Sequence, residues 1–147
     1  MTLVKNSRFL LYVFVLGGLV FAMISGFGIF GAPTLEEQLE RSAAEFNRNL
    51  PKEIHEDLRL RFVSAGPGEV LTYHFKLPKE SREEIDVEAL TATQSALLEA
   101  NYAEAEEWTS LRERDVEIRY QFADQGGVPF LTLSTHRPPF DPREEEK

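Results

Sequence analysis

Leu58-Arg59-Leu60-Arg61-Phe62-Val63-Ser64-Ala65-Gly66-Pro67-Gly68-Glu69-Val70-Leu71-Thr72-Tyr73-His74-Phe75-Lys76-Leu77 is the stretch on which the fold turns. Leu58, Leu60 and Phe62 alternate with Arg59, Arg61 and Val63. Leu71, Tyr73, Phe75 and Leu77 alternate with Thr72, His74 and Lys76. Successive side chains of a strand point to opposite faces, so this period of two predicts two half-buried strands. Ser64-Ala65-Gly66-Pro67-Gly68 lies between them, and Gly and Pro punctuate turns, so the pair reads as a hairpin. The two glycines do not make a phosphate loop, because no Lys-Ser/Thr follows and the next element is a strand.

Upstream, Leu35, Leu39, Ala43, Phe46 and Leu50 recur every three or four residues. That spacing predicts an amphipathic helix with Glu36, Glu37, Glu40, Arg41, Glu45 and Arg48 mostly in solvent. Thr34 followed by Glu37 reads as a capping box, and Pro51 ends the helix. Downstream, Asp86 is placed to cap a helix from Val87 to about Ala100, with Val87, Leu90, Leu97 and Leu98 facing inward. Asn101-Tyr102 reads as a break. A short helix near Glu104–Arg112 then turns Trp108 and Leu111 to the core. A second hairpin follows: Val116, Ile118, Tyr120 and Phe122 alternate with Glu117, Arg119 and Gln121. The turn Asp124-Gln125-Gly126-Gly127 then leads into a strand over Val128–Thr135. Pro129 suits an edge strand. The Pro-rich, charged end, residues 137–147, reads as a disordered tail.

The expected order is α-β-β-α-α-β-β. This predicts an α+β domain, residues 34–136, with a four-stranded antiparallel sheet and helices packed on one face. The order of strands within the sheet is left open.

The N-terminus reads differently. Phe9–Gly31 carries no charge, and at about 1.5 Å per residue it is long enough for a bilayer core of about 30 Å. It predicts a transmembrane helix over residues 9–31 that contacts the lipid bilayer, after a cytoplasmic N-terminus, residues 1–8. A cleaved signal peptide is the rival, with a shorter expected apolar core. Lys5 and Arg8 precede the stretch, and Glu36, Glu37 and Glu40 follow it. This puts the N-terminus in the cytoplasm and the rest outside, a single-pass inner-membrane protein with a periplasmic or extracellular domain. Gly18, Ala22 and Gly26 recur every four residues, a spacing that lets two membrane helices meet in a homo-oligomer.

Composition excludes more than it selects. The chain has 147 residues, a net charge of −9 and no cysteine. Disulfides, thiol catalysis and zinc-thiolate sites are therefore absent. All of the Asp and Glu lie after residue 35, a field that repels nucleic acid. No G-x-S-x-G elbow or recognised zinc spacing is present, so neither an enzyme nor a cofactor is expected. His55-Glu56-Asp57 reads as a loop before a strand unless distant ligands converge on it. If the apolar residues of the strands face the helices, parity puts Arg59, Arg61, His74, Lys76 and Arg119 on the opposite face, with Glu117 among them. Such a basic face on an acidic domain suits an acidic segment of a protein partner. A solvated face with cross-strand ion pairs is the alternative.

Phe46-Asn47-Arg48-Asn49-Leu50-Pro51, the hairpin, a helix, and Val116–Phe122 with its polar-Gly turn resemble small bacterial envelope domains. The family in view is the type II secretion pilotins of the short α/β kind, over roughly Leu35–Thr135. The resemblance implies a periplasmic lipoprotein that carries a secretin subunit to the outer membrane. This chain lacks the lipobox cysteine and the cysteine pair of that family, with Asn101 where one is expected. Two roles follow as expectations. The first is a membrane-anchored interaction module that binds an envelope or membrane complex. The second is a pilotin-like chaperone of a secretion component. An enzyme with an unrecognised site is the third alternative.

Overall fold

The computed structural model describes residues 33–145, without the side chains of residues 55, 107 and 145. Helix α1 (Leu35–Asn47) opens with the capping box: the Glu37 amide donates to Thr34 Oγ1 and the Thr34 amide to Glu37 Oε2, both at 3.2 Å. Leu39 and Ala43 are buried, and Leu35, Phe46 and Leu50 pack beside them. The strands follow as β1 (Lys52–His55), β2 (Leu58–Ala65) and β3 (Val70–Lys76). A 3₁₀ turn (Arg82–Glu84) leads to α2 (Val87–Glu104), and a second (Glu106–Trp108) to α3 (Thr109–Glu113). β4 (Glu117–Ala123), β5 (Pro129–Ser134) and a single helical turn, α4 (Pro142–Glu145), complete the chain.

The sheet has five strands in the order β1-β2-β3-β4-β5. Neighbours are antiparallel except β3 and β4, which run parallel from Val70 opposite Glu117 to Lys76 opposite Ala123. The expected fold class, a transmembrane helix followed by a four-stranded antiparallel sheet, is thus corrected to an α+β fold with a five-stranded mixed sheet. A parallel pair needs a crossover of a dozen or more residues, and the segment holding α2 and α3 supplies it. β1 escaped the periodicity because Lys-Glu-Ile-His carries one apolar residue.

The transmembrane helix over residues 9–31 and the contact surface Gly18, Ala22 and Gly26 lie outside the described residues. Among the described residues no helix is long and apolar enough to cross a membrane. The single-pass inner-membrane placement, the bilayer as a partner and a homo-oligomer through that helix are withdrawn with it.

Helices cover one sheet face, α1 over β2 and α2 over β5. Asp86 Oδ1 caps α2 by accepting from the Ala89 amide at 3.0 Å. α2 runs past Asn101-Tyr102 to Glu104, because its buried stripe is Leu90, Gln94, Leu98 and Asn101. Leu97 is only half-buried. Tertiary burial here overrides the modest helix propensity of Asn and Tyr. Trp108 and Leu111 are both buried, as their spacing predicts. The centre of the core is aromatic. Tyr120 meets the rings of Tyr73 and Phe75 edge-on at 5.5 and 5.4 Å, a favoured geometry for ring pairs.

One irregularity sets the faces of the hairpin. Leu60 pairs with Phe75 and Phe62 with His74, so two steps on β2 match one on β3. Arg61 is the extra residue of a β-bulge, which reverses parity beyond it. Val63 is buried and Phe62 is 38% exposed, opposite to their expected faces. β1 pairs with β2 only as far as Leu60, so the outer edge of β2 at Val63 has no strand beside it. Asn47, at the end of α1, takes that place. Its Nδ2 donates to the Val63 carbonyl at 2.8 Å, and its Oδ1 accepts from the Val63 amide at 2.7 Å. The amide side chain imitates one residue of a neighbouring strand. Asn47→Ala leaves both Val63 groups unpaired and should lower unfolding stability by about 2 kcal/mol in urea titrations. Asn47→Asp should recover only the bond from the Val63 amide.

Candidate partner-binding face of the sheet

The face away from the helices is organised in cross-strand rows. Partners in register share a face, so Phe62, His74, Gln121 and Thr132 form one row across four strands. An isolated bridge between Thr132 and Phe140 extends it. Ser64, Thr72, Arg119 and Ser134 form the row on one side. Arg59, Lys76 and Ala123 form the row on the other.

The central row is held by hydrogen bonds. His74 Nε2 lies 2.8 Å from Ser64 Oγ, and His74 Nδ1 lies 3.1 Å from Gln121 Oε1. Gln121 Nε2 donates onward to Thr132 Oγ1 at 3.4 Å. A neutral ring with its proton on Nδ1 satisfies every contact: Nδ1–H donates to the Gln121 carbonyl oxygen, and Nε2 accepts from the Ser64 hydroxyl. Phe62 stacks on this ring, with centroids 4.0 Å apart and planes within 15°. Burial pushes the His74 pKa down to about 4, and nearby Arg61 pushes the same way, against the raising effect of the Gln121 bond.

The five residues singled out from the sequence therefore lie on one face but differ in kind. His74 is a neutral scaffold group. Arg59 pairs with Glu53, Nη2 to Oε1 at 3.2 Å. Arg119 pairs with Glu117, which also accepts from Ser134 Oγ at 2.7 Å. Burial raises the Glu117 pKa, but the bonds from Arg119 and Ser134 outweigh it and hold the carboxyl below its usual range. Arg61 lies over Phe62, its guanidinium carbon 5.7 Å from the ring centroid. It also reaches toward the β4–β5 turn, where a methyl group built on Gly127 would meet its Nη1 at 3.9 Å. Lys76 sits beside Arg59 in the third row. The result is a partly exposed aromatic ring bordered by Arg61, with Lys76 and Arg59 in the adjoining row.

Two contributors escaped sequence reasoning. Strict alternation along β2 puts Phe62 in the core, whereas the bulge turns it outward. The signal against strict alternation is the doublet Phe62-Val63, which fits either register. Phe140 lies in the end expected to be a disordered tail. It bridges Thr132 instead, and its ring lies under Arg137 and Arg119, whose guanidinium carbons are 3.7 and 5.7 Å from its centroid.

Beyond this face, His136 Nε2 contacts Asp115 Oδ1 at 3.0 Å, and its Nδ1 contacts Thr135 Oγ1 at 2.6 Å. Thr135 Oγ1 also accepts from the Ile118 amide, and the Asp115 side chain is 88% exposed. The three groups tie the turn before β4 to the end of β5. Among the described residues no three His, Cys, Asp or Glu side chains are grouped to hold a metal ion.

With this geometry in view, comparison with known proteins is informative at the level of the fold. No family model matches the chain, and no curated protein sequence matches it. Among solved structures it is similar to EpsS, the pilotin of the type 2 secretion system of Vibrio vulnificus. The TM-score is 0.52 at 14% identity, over 68% of this chain and 86% of that one. It is also similar to a Pseudomonas aeruginosa protein inferred to be secreted. The TM-score is again 0.52, at 20% identity, over 77% of this chain and 97% of that one. The resemblance to pilotins read from the sequence is therefore a likeness of fold.

The row makes a pH prediction. Between pH about 4 and 6.5, native His74 binds fewer protons than the unfolded chain does. Its contribution to stability is full above pH 6.5 and is lost as pH falls toward 4. Urea titrations at pH 7, 5.5 and 4.5 should show a fall of roughly 1–2 kcal/mol attributable to this group. His74→Gln should remove that part of the slope.

Proposed function

We propose that this chain is an accessory protein of a bacterial secretion apparatus, pilotin-like in role, that holds a segment of a protein partner against the outer face of its sheet. The observation that carries the reading is the fold shared with the Vibrio pilotin. The likeness to an inferred secreted protein is in keeping with it. The membrane-anchored module expected from the sequence is set aside in favour of this second role.

The proposed contact is centred on Phe62. An exposed ring stacked on a hydrogen-bonded histidine is pre-ordered, so a partner spends little on arranging it. Arg61 lies over the ring and Lys76 stands in the adjoining row, on a domain that is acidic overall, which suits a segment with an apolar side chain flanked by carboxylates. The role needs no catalytic step: binding and delivery are equilibrium tasks for which such a surface is sufficient.

Crosslinking the intact protein in its host and identifying captured proteins by mass spectrometry tests this reading. The expected result is a secretion-system component, with recovery reduced at least tenfold in a Phe62→Ser, Lys76→Glu variant of unchanged thermal stability. Capture that includes no secretion component, or recovery indifferent to the double variant, contradicts it.

A further inference from the structure

β5 forms one edge of the sheet. An uncovered edge offers unpaired backbone groups to any passing strand. Here the chain covers its own edge: the Thr132 amide donates to the Phe140 carbonyl at 2.8 Å, and the Phe140 amide donates to the Thr132 carbonyl at 3.0 Å. Among the described residues this is the only backbone pairing between β5 and the C-terminal segment. The composition explains the brevity. Pro138, Pro139 and Pro142 flank the bridge and have no amide to donate, so the ladder cannot lengthen.

The side chains are more specific than the backbone. Phe140 sits in register with Thr132 on the outer face, with the Arg137 and Arg119 guanidinium groups both over its ring. Asp141 follows, close enough to Arg82 to feel its charge, and pairs with Arg143. Arg82 itself lies over the Phe130 ring at 5.5 Å. Arg137 and Arg143 belong to the same segment as Phe140 and Asp141, so what the rest of the domain offers an incoming segment is Arg119 beside the aromatic ring and, more weakly, the charge of Arg82 near the carboxylate. A segment that makes one bridge meets both.

We propose that the β5 edge is a binding site for an extended protein segment in which an aromatic residue is followed by a carboxylate, and that Phe140-Asp141 occupies it until such a segment adds as a sixth strand. This rests on the reading that the chain has a protein partner, and it names the chemistry of that partner. A segment free of the three prolines makes several backbone bonds where the C-terminal segment makes two, so it displaces it while keeping the same side-chain seats.

The test uses the full chain and, as probe, a synthetic peptide with the sequence of residues 136–145. A Phe140→Ser, Asp141→Ala variant of the chain should bind this peptide at least tenfold more tightly than the unaltered chain does. A peptide with Ala at the Phe140 position should lose at least tenfold. In the unaltered chain, hydrogen exchange at the Thr132 amide should be at least tenfold faster than at Leu131 and Leu133. Equal peptide binding by the two chains overturns the proposal. So does Thr132 protection equal to that of Leu133, which would make the segment a fixed part of the sheet. Peptide binding without capture of any secretion component would leave the edge site standing and remove the proposed role. Capture without peptide binding would do the reverse.

Discussion

A strand allows each residue one face only, and the outer face of this protein depends on the place in β2 where that rule is shifted by one. Arg61 is inserted between the pairs Leu60–Phe75 and Phe62–His74. Everything before it on β2 keeps Leu58 and Leu60 in the core. Everything after it exchanges sides, so Val63 enters the core and Phe62 leaves it. Beside a bulge the ladder is interrupted, and buried backbone groups without a strand partner are paired in another way. Asn47 pairs those of Val63 with two hydrogen bonds, at the point where β1 has already ended. The end of α1, the edge of β2 and the identity of the exposed aromatic residue are thus one constraint.

The outer face follows from it. Once Phe62 is outside, it lies in register with His74, and the parallel pairing of β3 with β4 puts Gln121 next in line. Ser64, His74, Gln121 and Thr132 then satisfy one another, and burial keeps the histidine neutral on a face otherwise edged by arginine and lysine. This ordering separates the face into distinct parts. Arg59 and Arg119 are committed to Glu53 and Glu117. Arg61 lies over the Phe62 ring with Lys76 in the adjoining row, and the β5 end is covered by Phe140. Charge counted by parity alone merges these parts into one basic surface.

Much of the fold is legible in the sequence because it rests on local chemistry. Thr34 and Glu37 announce the start of α1, Asp86 that of α2, and the alternation around Tyr73 and Tyr120 marks two core strands. What is not legible rests on non-local or compensating effects. β1 has one apolar residue and exists because β2 offers it an edge. The parallel pair depends on where a long crossover lands. Asn101 looks like a break, yet it is buried within a helix that continues for another turn. For the candidate face, parity places the five polar residues together but does not give their roles. Ion pairing, the neutrality of His74 and the arrival of Phe140 depend on neighbours from other strands. The proline-rich end reads as unstructured because its order comes from a single bridge to β5.

The absence of cysteine from this chain makes the central claim directly measurable. A thiol reports the face on which it sits, and two single substitutions, Phe62→Cys and Val63→Cys, compare adjacent positions in an otherwise unreactive protein. With the bulge at Arg61 in place, the native Phe62→Cys protein should react with a water-soluble thiol reagent within a few-fold of the rate of the unfolded chain. The Val63→Cys thiol should be protected until the protein unfolds. Rapid labelling at position 63 with protection at position 62 would mean that β2 alternates without interruption, and the account of this face would be wrong.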